Sequence, residues 1–385
     1  MCRMRRVIEN EVRMILKDSG VLLLVVFAML IYTIIYSVAY GKEVVREVAI
    51  AVVDEDHSSL SRTLVDGLRS GPDTFVAYEP TSVEEAKELF YRGKVFGIVV
   101  IPRGFERTLL MGEQADVAVI LDGSHLLIYK EVLTQTTADV LVEGAVIEAS
   151  RLIANSIGGG DIMGIVQPVS LDKHILYNTP QGYGSFVMPS IVVVIIQQTL
   201  VIGLAMLGVR RRQQRVSLQV NSYRDAIKSV VAKMLVYIVI YGINLTIILG
   251  VVWTLFGFPY NGRTIDVAIL MFVYLVSVTS LALSLSHLFK RREAPLMLLL
   301  WSSVPILLLA GVSYPKEAFP EWLYLLGRIF PSSSAVNAFV DIGTAGVSLH
   351  DVRTDIFTLA VLATIYLFVA VVTEAKCGKN NTLRS

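Results

Sequence analysis

Six long apolar stretches constrain the fold of this chain more than any other feature. They run over residues 18–40, 183–209, 229–257, 265–289, 294–314 and 355–373. A helix needs roughly 20 mainly apolar residues to cross the hydrocarbon of a bilayer. Only 17% of the residues are charged, against about 25% in an ordinary soluble domain. The sequence therefore predicts an α-helical polytopic membrane protein with six transmembrane helices.

Positive charge is distributed unevenly between the loops. Lys and Arg are concentrated in residues 1–17, 210–228, 290–292 and 374–385, whereas the opposite short loops offer only Arg263, Lys316, Arg328 and Arg353. Cytoplasmic loops carry the excess of Lys and Arg, so both termini are predicted to be cytoplasmic. A signal peptide cleaved near Ala39 is the alternative. A retained first span is favoured because the flank before it is long and contains Glu9 and Glu11.

The flank at residues 1–17 has a helical apolar pattern. Met4, Ile8, Val12 and Ile15 recur at helical spacing, with charged residues between them. This pattern predicts an amphipathic helix in the membrane surface. A basic anchor that only sets the topology is the alternative.

Residues 41–182 have a different pattern, with short β-branched runs that alternate with helical segments. Strands are predicted at 48–53, 74–78, 95–101 and 117–121, with helices after each of them. This alternation indicates an inserted α/β domain, placed outside the cytoplasm by the charge distribution. Asp54, Asp56 and His57 follow the first strand and could suggest a metal site, but such residues are more often turn and cap residues. No catalytic residue and no metal ligand is predicted.

Two kinds of energy source are missing from the sequence. No Gly-Lys pair has the earlier glycine and the following Ser or Thr of a phosphate-binding loop, so the chain is predicted not to be an ATPase. The span interiors carry neutral polar residues rather than the charges typical of ion-coupled carriers. These residues are candidates for a substrate path, or alternatively for helix–helix hydrogen bonds: Gln197, Gln198, Asn244, Ser277, Thr279 and Ser280.

Several ordered motifs resemble one family. They are VVDEDHSSLSR (52–62), GIVVIPRGFERTLLMGEQADVAVILDGS (97–124), FVMP (186–189) and PILLLAGVSYPKEAFPEWLYLLGRIFPSSSAVNAF (305–339). In this order the chain resembles the ABC-2-type transporter permeases, six-span bacterial exporter subunits with a large periplasmic domain between spans one and two. The loop RRRQQRVSLQVNSYRDAIKS (210–229) lacks the Gly-Thr-acidic element common in that family.

The resemblance implies a function and partners. The chain would be an inner-membrane permease that moves a substrate outward, without a bound cofactor, while a separate ABC ATPase uses ATP and Mg. It would lie in the lipid bilayer as a homodimer or with a sister permease, and would meet a periplasmic adaptor and an outer-membrane channel; no nucleic acid partner is expected. The alternative is a non-transporting envelope protein whose outer domain binds a partner or ligand.

Two groups of residues are candidates for sites in such a permease. The resemblance assigns coupling to the ATPase to the basic loop, with Arg210, Arg211, Arg212, Arg215 and Arg224. The alternative is that these charges only fix the topology. Residues 315–354 are predicted to form short helices that cap the outer end of a path, because proline at membrane depth makes a chain turn or re-enter. The outer-gate candidates are Pro315, Phe319, Pro320, Trp322 and Pro331; an ordinary interfacial loop is the alternative.

Overall fold

The computed structural model describes residues 2–43, 46–154, 166, 174, 176–179, 181–214, 222–312, 314 and 318–382. Two of the candidate site residues, Arg215 and Pro315, lie outside these ranges. The chain divides into two compact units, one formed by Met1–Glu43 with Ile175–Ser385 and the other by Val44–His174.

The described elements follow in chain order. They are α1 (Cys2–Leu16), α2 (Ser19–Tyr40), β1 (Val48–Asp54), α3 (Ser59–Ser70), β2 (Thr74–Tyr78), α4 (Val83–Tyr91), β3 (Gly97–Ile101), α5 (Phe105–Leu110), β4 (Ala118–Leu121), α6 (Leu126–Ala154), α7 (Tyr183–Gln213), α8 (Tyr223–Phe256), α9 (Thr264–Leu285), α10 (Glu293–Leu309), α11 (Glu321–Gly327), α12 (Pro331–Gly343) and α13 (Arg353–Thr382). α2 and α8 each contain a π-helical turn, at Leu23–Phe27 and Ile248–Val252.

The first unit is a bundle of apolar helices. In the described part of the chain, five helices are long and apolar enough to cross a membrane: α2, α7, α8, α9 and α13. α10 is apolar but has only 17 residues. α7 and α9 are the most buried of the five and form the centre of the unit. The chain is therefore a polytopic membrane protein.

Buried hydroxyl groups in the centre of the bundle have local partners. The Tyr241 hydroxyl donates to Thr199 Oγ1 at 2.9 Å, and the Tyr274 hydroxyl donates to the Val193 carbonyl at 2.6 Å. Polar groups without partners are costly in an apolar interior. These bonds fix α7 against α8 and α9.

The second unit contains a four-stranded sheet with the order β2-β1-β3-β4. β1 is parallel to both β2 and β3, and β4 is antiparallel to β3. Successive residues of β1 point to opposite faces, so Ile50 and Val52 pack with α3, whereas Ala51 and Val53 pack with α4. All four strands lie within two residues of the ranges predicted from the sequence.

The acidic turn after β1 has a structural role. Asp54 Oδ1 accepts the backbone N–H groups of Asp56 and His57, and Asp56 accepts those of Gly104 and Glu106 at the start of α5. Asp56 therefore joins the turn after β1 to the turn after β3. The structure places these residues as turn and cap residues.

The chain enters and leaves the second unit at a tight junction in the bundle. Glu43, after α2, accepts the Ser185 N–H at 3.0 Å and the Ser185 hydroxyl at 2.9 Å, and its carbonyl accepts the Tyr183 N–H at 2.9 Å. A Cβ atom at Gly182 would overlap the Glu43 carboxylate, so glycine is required for this approach. The end of α2 is thereby bonded to the start of α7.

Candidate functional site

The N-terminal helix α1 is amphipathic, and one of its faces packs in the bundle. Val7, Glu11, Met14 and Ile15 are buried, whereas Val12 is 38% exposed. Glu11 lies on the buried face because it bonds to α7 and α8. That α1 lies in the membrane surface stays a prediction.

Glu11 is the centre of a buried ion pair. Its side chain is 3% exposed, and Arg211 Nη1 donates to both of its carboxylate oxygens at 2.7 and 2.8 Å. The hydroxyl of Tyr237 on α8 donates to the same carboxylate at 2.6 Å. A buried carboxylate is stable only when it is paired and hydrogen-bonded in this way. The three residues hold α1 against α7 and α8.

Asp18, between α1 and α2, forms a second ionic group. Its carboxylate accepts the Val21 N–H at the start of α2, Arg210 Nη1 at 2.6 Å and Arg292 Nη2 from the residue before α10. Burial would raise the pKa of Asp18. The Val21 N–H and the two guanidinium groups outweigh it and hold the pKa below its ordinary value of 3.8.

Glu374 on α13 forms the third ionic group. It accepts Lys233 Nζ at 2.5 Å and the Ser229 hydroxyl at 2.8 Å, both from α8, and His287 Nε2 lies 3.3 Å from it. Glu374 also lies within electrostatic range of Arg211. The sequence-based span ended at residue 373, but α13 continues to Thr382, which brings Glu374 into the bundle.

These three groups are neighbours and together form what we call the ionic cluster. Its members are Glu11, Asp18, Arg210, Arg211, Lys233, His287, Arg292 and Glu374. The cluster joins α1 to α7, α8 and α13 and to the segment between α9 and α10. A displacement of α1 must therefore move these elements or break buried ion pairs.

The predicted coupling arginines fall into two sets. Arg210 and Arg211 are directed into the ionic cluster, and Arg212 donates to the Phe289 carbonyl after α9. Arg224 is exposed in the first turn of α8. Only Arg224 among the described four thus presents its side chain fully to the surface.

The predicted path residues are engaged within and between helices. Gln197 Oε1 accepts the Ser332 N–H of α12, and Asn244 Nδ2 donates to the Val26 carbonyl in the π-helical turn of α2. Thr279 and Ser280 bond to carbonyls of their own helix. For two others, the buried Gln198 Nε2 and the Ser277 hydroxyl, the described part of the chain offers no hydrogen-bond partner.

The gate candidates lie in or beside two short helices. Pro320 precedes α11, Trp322 is 67% exposed on α11, and Phe319 stacks on Tyr314. Pro331 is buried at the start of α12. The Tyr366 hydroxyl of α13 holds the turn between α11 and α12 by donating to the Ile329 carbonyl at 2.6 Å.

Sequence reasoning missed the acidic partners of the cluster. Glu11 and Asp18 continue the spacing of Val7 and Met14 at intervals of three or four residues, which places Glu11 on the buried face of α1 and Asp18 two residues beyond its end. A carboxylate on such a face predicts a buried cation nearby. The sequence therefore contained a signal for buried ion pairs, and the arginines at 210–212 were the candidates for the cationic partners.

The bundle of apolar helices defines a polytopic membrane protein, and comparison with known proteins specifies the family. Residues 19–372 match the family model described as "ABC-2 family transporter protein", so the chain belongs to this family and the resemblance of its motifs is confirmed. It is 24% identical to the "Probable multidrug ABC transporter permease YbhR" of Escherichia coli over 92% of both chains. It is 20% identical to the "Inner membrane transport permease YhhJ" of the same organism over 94% of both chains.

A third relative covers a smaller part of the chain. The "ABC transporter G family member 20" of Dictyostelium discoideum is 30% identical over 141 residues, which are 36% of this chain and 19% of that protein. The family places this chain as the membrane component of an ABC transporter, and membership implies an ATPase partner. The two Escherichia coli relatives are named as permeases.

The acid response of Asp18 is a first testable consequence. Asp18→Asn removes charge-assisted bonds to two arginines, and we expect the free energy of unfolding to fall by about 1.5–3 kcal/mol at pH 7. Because the folded-state pKa lies below 3.8, this contribution is present at higher pH and is lost as the pH falls through the folded-state value. The measurement is denaturation in mixed micelles between pH 7 and acid pH. A difference between the two proteins that stays constant down to the acid limit would contradict the assignment.

Proposed function

We propose that this chain is the permease subunit of an ATP-driven exporter in a bacterial inner membrane. It would have six spans, with α10 as the fifth, both termini in the cytoplasm and the unit Val44–His174 outside. At 1.5 Å per residue α10 is about 26 Å long, slightly shorter than a hydrocarbon core of about 30 Å. The basic flanks at residues 1–17, 210–228 and 290–292 support the orientation.

The ionic cluster is the observation that carries this proposal. A helix that lies beside a bundle needs no buried ion pairs to stay there, because an apolar face alone would hold it. Here α1 is tied by Glu11 and Asp18 to three arginines. A displacement of α1 by an ATPase would therefore be transmitted to α7, α8 and α13.

The ATPase would bind exposed groups rather than the cluster itself. Arg5, Arg6 and Arg13 on α1 and Arg224 on α8 are exposed, and they can reach an acidic protein surface. Arg210 and Arg211 would then transmit the movement. In this proposal only the exposed arginines contact the ATPase, whereas the sequence-based prediction assigned that contact to all five arginines of the loop.

We propose that the exported substrate passes between two permease subunits, either two copies of this chain or this chain with a sister permease. Four of the six polar path candidates make hydrogen bonds within the subunit, which favours a path that two subunits complete. The unit Val44–His174 would meet a periplasmic adaptor that leads to an outer-membrane channel. The relative YbhR is named a probable multidrug ABC transporter permease, and a multidrug permease is consistent with export.

Gentle purification tests this proposal. We expect a stoichiometric companion with a phosphate-binding loop to remain bound to the chain, as identified by mass spectrometry. Arg224→Glu should reduce the retained ATPase at least tenfold, whereas Arg353→Glu, an exposed change at the start of α13, should leave it unchanged. If no ATPase is retained under conditions that preserve another ABC complex, the chain is instead an envelope protein that binds a partner through Val44–His174.

A further inference from the structure

An apolar groove lies between α8 and α9 in the membrane unit. Its volume is about 460 Å³, and it follows α8 from Ile238 to Gly250 and α9 from Thr264 to Leu275. Twelve residues of helix rise about 18 Å, which is close to the depth of one leaflet of a hydrocarbon core of about 30 Å. None of the six predicted path residues lines it.

The groove forms because two of the α8 residues that line it are glycines, which have no side chain. Gly242 and Gly250 lie two turns apart with Thr246 between them, and a Cβ atom at either glycine would meet nothing within 4 Å. The Thr246 hydroxyl donates to the Gly242 carbonyl at 2.9 Å, so it offers no free polar group. The opposite wall is apolar and includes Val267, Met271 and Leu275.

The two ends of the groove differ in chemistry. Ile238 and Leu275 close the deep end, whereas Tyr260 and Thr264 lie at the other end, in and beside the loop between the two helices. Arg263, the residue before α9, is exposed there, and no ion pair is found for it in the described parts of the chain. An exposed guanidinium next to Thr264, which lines this end of the groove, is suited to a phosphate group.

We propose that this groove binds one phospholipid, with an acyl chain between α8 and α9 and the phosphate at Arg263. The surroundings of two membrane-spanning helices are hydrocarbon, and an unfilled groove would lose dispersion contacts along its whole length. A flexible acyl chain fits a narrow groove that is one leaflet deep, and the Arg263 guanidinium near the mouth can pair with the phosphate. The inference does not depend on the direction of transport.

Filling the groove tests the proposal. Gly242→Leu and Gly250→Leu place side chains in open space, so the protein should still fold and elute as a single species. Val251→Leu is the matched control, because Val251 is 59% exposed on the same helix and does not line the groove. The probe is phosphatidylglycerol with a photoreactive group on its acyl chain, added to the full chain in phosphatidylethanolamine–phosphatidylglycerol vesicles.

We expect crosslinks in wild type and in Val251→Leu at residues of α8 and α9 that line the groove. Each glycine variant should lose these crosslinks at least fivefold, and Arg263→Gln should weaken them. Equal crosslinking in wild type and the glycine variants would mean that only bulk annular lipid is labelled, and would overturn the proposal. A change in oligomeric state of the glycine variants with unchanged lipid labelling would also overturn it, because the groove would then hold a second protein copy.

Discussion

Replacing Glu11 by glutamine should lower the free energy of unfolding by about 3–5 kcal/mol, because it leaves the Arg211 guanidinium buried without its counter-charge. Glu11 and Arg211 are 3% and 13% exposed, so water can compensate little of the loss. The measurement is denaturation in mixed micelles, followed by the rate of ATP hydrolysis by the proposed ATPase partner in complex with the variant.

Glu9→Gln is the matched control for this change. Glu9 pairs with Arg5 on the same helix, but the two side chains are 52% and 85% exposed, and such surface pairs contribute about 0–1 kcal/mol. If Glu9→Gln and Glu11→Gln had equal effects, the buried pair would not be what holds α1.

A triple variant separates stability from coupling. Changing Glu11 and Arg211 to Met and Tyr237 to Phe replaces the whole ionic group by apolar side chains, which is often neutral for stability. We expect this variant to unfold at nearly the wild-type denaturant concentration, but ATP hydrolysis by the proposed ATPase partner should no longer be coupled to transport. Full restoration of both properties would show that the pair has only a structural role.

Replacing Lys233 by methionine is the second change with a large expected effect. Lys233 Nζ lies 2.5 Å from Glu374, and the two side chains are 6% and 14% exposed. Removing the cation leaves a buried carboxylate underpaired and should cost about 3 kcal/mol. Denaturation of the purified chain in mixed micelles measures the loss.

The neighbouring lysine on α8 provides the control for this result. Lys228 is exposed, and Lys228→Met should change the free energy of unfolding by no more than about 0.5 kcal/mol. Adding Glu374→Gln to Lys233→Met should recover much of the loss, because no buried charge is then left unpaired. A double variant as unstable as the single one would contradict the pairing.

The parts of the fold that follow from chain chemistry alone could be predicted from sequence. Apolar length located the five helices that are long enough to cross a membrane, and alternation of β-branched runs located the strands, because both depend on local pattern. The spacing of Ser82 and Glu85 predicts a capping box at the start of α4, and the structure has this arrangement with one difference. Ser82 accepts the Glu85 N–H, but the Glu85 carboxylate reaches Thr81 rather than Ser82.

The candidate site depended on contacts that local pattern does not contain. The basic run at 210–212 was recognised, but its partners lie about 190–200 residues earlier, at Asp18 and Glu11. The predicted sixth span ends at residue 373, which leaves Glu374 in the polar tail. Only the packing of α13 on α8 shows that this carboxylate is buried beside Lys233.

The junction at Glu43 has a consequence for how such a chain can evolve. Glu43 and Ser185 are 142 positions apart in sequence yet share two hydrogen bonds, so the intervening segment starts and finishes at one point of the bundle. The entropy of closing such a loop grows only logarithmically, by about 0.6 kcal/mol for each doubling of its length. An insertion held in this way can be lengthened, shortened or exchanged while α2 and α7 keep their contact. The membrane unit can thus accept different inserted domains at the Glu43–Ser185 junction.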